Sequence, residues 1–351
     1  MKKRVAVAMS GGVDSSTAAY LLAKQGYEVI GLSMKLPHTG EISEAGCCGV
    51  SGIDDARKVA QQIGIPFYAL NYEKEFESKV IDYFCREYVC GRTPNPCIIC
   101  NQTVKLGSLL NKAGSFGADY IATGHYARLE HNGKRHLLKK GKDKNKDQSY
   151  FLFSLSQKQL KHIRFPLGDY TKEEVRKLAK KFGLKVHDKP ASQEICFING
   201  DYREFLKTRI NANCFRAGPI VDTTGKVLGE HKGIAFYTIG QRKGIGAHKK
   251  PLYVVEIDRE NNKVIVGGDE KLFKSELEAS FVNWSSMDEP PSPFKIKARI
   301  RYRHKEQDAL VTPRGSGRVK VIFDKAQRAV TPGQAVVFYD GDLVAGGGWI
   351  C

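Results

Sequence analysis

The chain holds 351 residues, with 56 basic against 38 acidic side chains for a formal charge of +18, and is 41% apolar and 27% charged. That balance excludes a disordered tail, a collagen-like fibre and a coiled coil, and no apolar run approaches the roughly 18 residues that cross a bilayer. The length predicts two or three domains of about 150 residues each. In chain order, short β-branched runs predict strands over 4–9, 27–34, 66–70 and 118–123, and helix-forming patterns predict helices over 15–24, 54–62, 73–88 and 104–113. This alternation predicts an α/β domain, a parallel sheet with helices on both faces, which takes its ligands at the carboxyl ends of the strands. Residues 131–148 read as a lysine-rich loop, followed by helices over 171–182 and 201–210. Past Gly218 the texture becomes all-β, with strands over 253–258, 263–267, 295–304, 318–323 and 335–339 between Gly, Asn-Asn and Pro turns. The expected division is therefore 1–203, a central segment 204–272, and a β-barrel 273–351.

Charge and thiols narrow the function. Residues 1–100 hold 11 basic and 11 acidic groups, whereas residues 101–200 hold 20 against 9. A local positive field points to a polyanion, nucleic acid ahead of membrane, with plain solubility as the alternative. The start, MKKRVAVAMSGG, breaks at Ser10-Gly11-Gly12, too early for a secretory segment, so a cytoplasmic protein is expected. There are nine cysteines, an odd number that speaks for thiol chemistry or metal binding over a disulfide framework.

Ser10-Gly11-Gly12-Val13-Asp14-Ser15 stands between a strand and a helix. Its glycines let backbone N–H groups approach an anion, and the helix adds its positive end. Without the lysine of a Walker A loop or the third glycine of a dinucleotide loop, it resembles the pyrophosphate loop of ATP pyrophosphatases. Asp14 is suited to orienting donors or holding Mg²⁺; the plainer reading is a glycine turn with a helix cap. Gly91-Arg92-Thr93-Pro94-Asn95-Pro96-Cys97-Ile98-Ile99-Cys100 is a proline-stiffened loop before a C-x-x-C pair, whose thiols share one side of a helical turn. Cys196, in an apolar stretch, reads on composition as an inert core residue.

Further segments complete a pattern: ATGHYAR at 122–128, KDQSYFL at 146–152, ICFI at 195–198, TIGQRKG at 238–244, RYR at 301–303 and TPGQAVVFY at 331–339. With SGGVDSS and GRTPNPC they stand in the order found in bacterial tRNA-specific 2-thiouridylases, and the chain resembles that family over nearly its whole length. The resemblance implies an N-terminal PP-loop ATP pyrophosphatase domain of the adenine nucleotide alpha hydrolase type, a small central domain and a C-terminal tRNA-binding barrel. It implies an ATP-dependent sulfurtransferase that adenylates O2 of the wobble uridine of tRNA, the lysine, glutamate and glutamine acceptors being expected. Sulfur then arrives from a cysteine persulfide, with a cysteine desulfurase or sulfur relay protein as donor. It also implies roles: Cys100 as nucleophile and Cys196 as persulfide carrier; Ala8, Met9, Ser10, Gly11, Gly12, Val13, Asp14, Ser15, Met34 and Gly124 toward ATP, with Mg²⁺; Asn95, Pro96 and Cys97 toward the target base; and His125, Lys146, Asp147, Gln148, Arg301, Tyr302 and Gln334 toward tRNA. No membrane partner is implied.

One position departs from the family. Cys97 stands where many members carry an aspartate, so Cys97, Cys100 and Cys196 are also candidate ligands of a [4Fe–4S] cluster, with persulfide and disulfide chemistry as the competitor. Cys47 and Cys48 stay unassigned. Basic residues at 295, 297, 299, 301, 303 and 305 alternate with apolar or aromatic ones, which predicts six positive groups on one strand face as a phosphate-binding surface; edge protection is the plainer reading. The rivals are another ATP-dependent ligating pyrophosphatase and a non-catalytic RNA-binding protein.

Overall fold

The computed structural model describes residues 2–37, 50–189, 195–198 and 200–351. Cys47 and Cys48 lie outside these residues. The chain divides into two compact units, one of Met1–Val80, Cys97–Gly200 and Gly341–Val344, the other of Ile81–Pro96, Asp201–Asp340 and Ala345–Cys351.

The first unit contains β1 (Arg4–Ala8), α1 (Val13–Lys24), β2 (Glu28–Lys35), α2 (Val50–Ile63), β3 (Phe67–Asn71), α3 (Glu73–Phe76) and, past the short helix α4 (Asp82–Val89) of the second unit, α5 from Cys97 on (Pro96–Ile99), α6 (Leu109–Ser115) and β4 (Tyr120–Ala122). Then come β5 (Ala127–His131), β6 (His136–Lys140), α7 (Gln157–Leu160), β7 (Ile163–Arg164) and α8 (Lys172–Lys181). Five strands form an all-parallel sheet in the order β3-β2-β1-β4-β7. Val5, Ala6 and Val7 of its central strand are wholly buried, which is why that strand reads as a continuous apolar run. Ala18, Ala19 and Leu22 of α1, Ala56 and Val59 of α2 and Val175 and Ala179 of α8 belong to the same core. The strand order reverses between β1 and β4, so the loops after these two strands border the crevice where such sheets take ligands.

The expected helix over 104–113 is longer. Helical backbone runs from Pro96 to Ser115 and widens to a π-helical stretch at Cys100–Ser108. Proline suits the first helical position because its missing N–H would be unpaired there anyway. A π stretch displaces backbone acceptors, and side chains take them up. Gln159 Nε2 donates to the carbonyls of Gln102 (2.9 Å) and Leu106 (2.8 Å), and Thr103 Oγ1 to that of Ile99 (2.8 Å). Ser108 donates to Glu75 on α3.

The lysine-rich segment is a loop only over 141–148; its first part is a β-hairpin. β5 and β6 pair with Leu129 opposite Leu138, and Asn132-Gly133 makes the turn, with Gly133 at φ +87°. Asn132 Oδ1 accepts from the N–H groups of Lys134 and Arg135. The density of lysines hid an alternation that the pairing reveals.

The second unit adds α9 (Tyr202–Arg209), then β8 (Gly218–Asp222), β9 (Val227–His231), β10 (Tyr253–Asp258) and β11 (Lys263–Gly267), a sheet in the order β10-β11-β8-β9. Next come β12 (Phe273–Asn283), β13 (Phe294–Arg299), β14 (Gln307–Pro313), β15 (Val319–Arg328), β16 (Ala335–Asp340) and β17 (Leu343–Ile350). Their order, β12-β15-β14-β13-β16-β17, closes into a barrel because β12 also pairs with β17. Ala298, Val311, Val321 and Phe338 are among the side chains filling it.

The expected strand over 295–304 ends at Arg299. Ala298 pairs with Gln307 of β14, so the chain must turn between them, and His304 N–H closes that turn on Arg301 O at 3.1 Å. The ladder of six basic groups is thus only Lys295, Lys297 and Arg299 on one strand face; Arg301, Arg303 and Lys305 lie in the connection. Among the described residues no helix is long and apolar enough to cross a membrane.

Replacing Gln159 with Ala should destabilise the fold by about 1–3 kcal/mol, because two π-stretch carbonyls lose their donor; denaturant melts of the two proteins measure it.

Candidate functional site

The phosphate turn follows from β1. Met9 N–H still bonds Leu32 O at 2.8 Å, so the sheet register holds up to Ser10. Gly11 then takes φ +71°, where a side chain would also collide with the backbone of Gly52. Ser15 Oγ accepts from Ser10 N–H (3.1 Å) and lies 3.2 Å from Gly12 O, tying the turn across its base. No side chain caps α1, whose N-cap is Gly12, which leaves the first N–H groups of the helix to an incoming anion. The loop after β4 presses against this turn. A Cβ at Gly124 would lie 2.7 Å from Ser15 N and 2.9 Å from Asp14 Cβ.

Asp14, in the first turn of α1, has three short contacts. Lys172 Nζ reaches its two oxygens at 2.6 and 2.7 Å, and the Tyr126 hydroxyl donates to Oδ1 at 2.7 Å. Burial, reinforced by the Asp14 charge, pushes the Tyr126 phenol far above its ordinary range, so it remains a donor. Both donors are held by one loop. Gln148 Oε1 accepts from Tyr126 N–H (3.0 Å) and Gln148 N–H donates to Tyr126 O (2.9 Å), while Asp143 Oδ2 accepts the Lys172 N–H (2.9 Å). Buried Asp147 organises the loop, accepting from Gly141 N–H (3.1 Å), Ser149 N–H (3.1 Å) and Ser149 Oγ (3.0 Å). Lys172 opens α8 behind a capping box of Thr171 and Glu174. Sequence reading missed Lys172; the T-x-x-E cap just before it marks a helix start but does not say where that helix points.

In the second unit, Thr93 is the meeting point of three of the quoted segments. Its N–H donates to Pro332 O (2.9 Å), its hydroxyl lies 3.0 Å from that of Thr238, and its carbonyl accepts from Gln334 Nε2 (2.9 Å). Gln334 also reaches Pro94 O at 3.3 Å. Arg92 pairs with the buried carboxylate of Glu87 through Nε (2.8 Å) and Nη2 (2.6 Å). The loop that leads to Asn95 and Pro96 is therefore fixed by backbone and side-chain bonds on both of its sides.

Cys97 is exposed, Cys100 is buried at the start of the π stretch, and Cys196 is exposed. Phe197 packs edge-on against Phe76 of α3 (centroids 5.7 Å apart), and α3 is the helix that Ser108 of the π stretch bonds through Glu75. The segments bearing Cys100 and Cys196 thus both rest on α3. Among the described residues no three His, Cys, Asp or Glu side chains gather as a metal site. Cys97, Cys100 and Cys196 as placed do not fit an iron–sulfur cluster, which needs its ligands converging, and Asp14, engaged by Lys172 and Tyr126, is not set out as a metal ligand.

Three family models match the chain: a tRNA methyl transferase HUP domain over 3–200, a tRNA methyl transferase PRC-barrel domain over 203–268 and an aminomethyltransferase beta-barrel domain over 274–350. A tRNA-specific 2-thiouridylase, MnmA, of Acetivibrio thermocellus is 54% identical over 99% of both chains. The chain belongs to the tRNA-specific 2-thiouridylase family. The 2-thiouridylases of Halothermothrix orenii (54% identical, 99% of this chain and 98% of that one) and Clostridioides difficile (50%, 100% and 98%) match equally along their length. The family architecture, a HUP domain, a PRC-barrel domain and a β-barrel, agrees with the parallel sheet, the smaller sheet and the closed barrel described above.

The positions taken from the 2-thiouridylase pattern fall into distinct settings. Ala8 ends β1, Met9 and Met34 are buried beside it, and Ser10–Ser15 with Gly124 form the turn. Lys146 is exposed and Tyr302 half-buried, whereas Asp147, Gln148 and Gln334 are spent on holding loops. Arg301 is turned onto Ala329 O and lies 3.1 Å from Thr331 Oγ1. His125 is buried, with Nδ1 2.7 Å from Thr123 Oγ1; burial, helped by Lys105, pushes its imidazole down to about 3. A histidine depressed in the folded state is charged only on unfolding, so its contribution is complete above pH 6.5 and is lost as pH falls toward 3. Between pH 7 and pH 5 the wild type should lose about 2 kcal/mol more unfolding free energy than a His125→Asn variant, read from denaturant melts at both pH values.

Proposed function

We propose that this chain catalyses the ATP-dependent 2-thiolation of the wobble uridine of tRNA, releasing AMP and pyrophosphate. The observation that carries the reading is the full-length likeness to 2-thiouridylases combined with an uncapped, glycine-lined turn at the β1/β4 crevice. The substrates, ATP and tRNA, put the reaction in the cytoplasm. We take the domains as 1–203, 204–272 and 273–351.

The turn binds the ATP phosphates through Ser10, Gly11, Gly12 and the first N–H groups of α1, and Mg²⁺ arrives with the nucleotide as its counter-ion. Lys172 and Tyr126 neutralise Asp14, which would otherwise repel the phosphates from the turn that receives them. Uridine O2 attacks the α-phosphorus, the bond to the β-phosphate oxygen breaks and pyrophosphate leaves. This converts a poor leaving group into AMP. The terminal sulfur of a Cys196 persulfide then attacks C2 and AMP departs. Cys100 thiolate attacks the Cys196 sulfur, breaking the S–S bond and leaving C2=S together with a Cys100–Cys196 disulfide, which a thiol reductant reopens. The exposure of Cys196 suits loading by an external sulfur donor, a cysteine desulfurase or relay protein; the burial of Cys100 suits a thiol that meets only a bound partner. Asn95, Pro96 and Cys97 face the flipped base, on a loop held by Thr93 and Gln334. Lys295, Lys297, Lys146 and Tyr302 supply contacts to the RNA backbone, and His125, Asp147, Gln148, Arg301 and Gln334 shape the surfaces around them.

Incubation with ATP, Mg²⁺, tRNA, a thiol reductant and a cysteine desulfurase with free cysteine, which supplies persulfide-level sulfur to Cys196, should yield 2-thiouridine by mass analysis of nucleosides. Cys100→Ala and Cys196→Ala should each abolish it while tRNA-dependent pyrophosphate release continues; thiolation surviving both changes defeats the proposal. Lys172→Met should raise KM for ATP at least about tenfold, as an unscreened carboxylate within a few ångströms of the phosphates requires, and Asp14→Asn in the same chain should recover part of that loss.

A further inference from the structure

Phe281 is the most exposed large apolar side chain among the described residues, at 82% of its surface, and its backbone sits at φ +52°, a region that costs a residue bearing Cβ about 1–3 kcal/mol. Neither feature helps folding, and both arise from one irregularity in the barrel. Ser280 pairs with Trp349 and Asn283 with Gly347, so Phe281 and Val282 together stand opposite Gly348 alone. A Cβ on Gly348 would come within 2.8 Å of both Ser280 O and Val282 Cγ2, so glycine is what admits the bulge. Val282 turns in to pack on the barrel core and Phe281 is turned out.

The bulge has a neighbour. Val282 N–H donates to Gly317 O at 2.9 Å, which lays the β14–β15 turn alongside it. That turn, Arg314-Gly315-Ser316-Gly317-Arg318, has three successive residues at φ +72°, +51° and +66° and is closed by Arg314 N–H on Arg318 O at 2.9 Å. Both arginines are exposed, and neither has an acidic partner among the described residues.

We propose that the Phe281 bulge and the Arg314–Arg318 turn form an RNA contact of the barrel, in which an unpaired base stacks on the Phe281 ring and the adjoining phosphates meet the two guanidiniums. The inference rests on the functional reading above and extends it to residues that the family pattern leaves without a role. An aromatic face offers every base a stacking partner, whereas two guanidiniums beside it favour a polyanion over an apolar protein surface, in keeping with the +18 charge of the chain. Strain of this kind persists where something other than stability retains it.

The test pairs stability with binding. Phe281→Gly relieves the left-handed backbone, so its melting temperature should equal or exceed that of the wild type, while its Kd for an unmodified tRNA transcript with a wobble uridine should rise about tenfold, with KM for ATP unchanged. Phe281→Trp should keep wild-type affinity, and Arg314→Gln with Arg318→Gln should flatten the salt dependence of binding by about two units of slope. An unchanged Kd for Phe281→Gly, or a loss of affinity that only follows a lower melting temperature, overturns the inference. A wild-type chain that binds no tRNA would instead overturn the functional reading beneath it.

Discussion

A turn built to receive phosphates cannot tolerate an uncompensated negative charge of its own, yet Asp14 puts a carboxylate in the first turn of α1. Lys172 and Tyr126 resolve the conflict by engaging that carboxylate from the side of the protein. An ammonium across both oxygens cancels the charge, and a phenol that stays protonated adds a donor that no ordinary pH removes. The N–H groups of the turn are then left to the ligand. Much of the first unit serves this arrangement: Gln148 grips the backbone of Tyr126, Asp143 fixes the N–H of Lys172, and buried Asp147 shapes the loop that carries both holders.

Asp147 and Gln148, positions that the family resemblance assigned to RNA, are thereby structural supports of the nucleotide turn. The loop that the sequence pattern assigned to RNA thus fixes, within the protein, the two donors of Asp14.

The sheet was legible because buried parallel strands write themselves as apolar runs: Val5 to Val7 is wholly enclosed and reads so at once. The phosphate turn was legible because only glycine fits Gly11 and Gly124. Lys172 was not legible, since its partner lies 158 positions away and nothing local ties a helix-opening lysine to an aspartate at the start of another helix. The basic ladder over 295–305 misled because alternation continues in the sequence beyond Arg299, whereas pairing with Gln307 forces the chain to turn. The π stretch at Cys100–Ser108 has no periodic signature, because its extra residue is stabilised by Gln159 from elsewhere in the chain. The cysteine assignments came from the family pattern, and composition alone would have dismissed Cys196.

Thr93 has one more consequence. Its bonds reach Thr238, Pro332 and Gln334, residues made long after it during synthesis on the ribosome. The parallel sheet has its last strand at Arg164 and its covering helix α8 ends at Lys181, so it can settle while the rest of the polypeptide is still emerging, but the segment around Asn95 acquires its shape only when the final barrel strands exist. A nascent chain would therefore hold its parallel sheet before the segment around Asn95 is set, and the order of translation itself delays that segment until the last strand is in place.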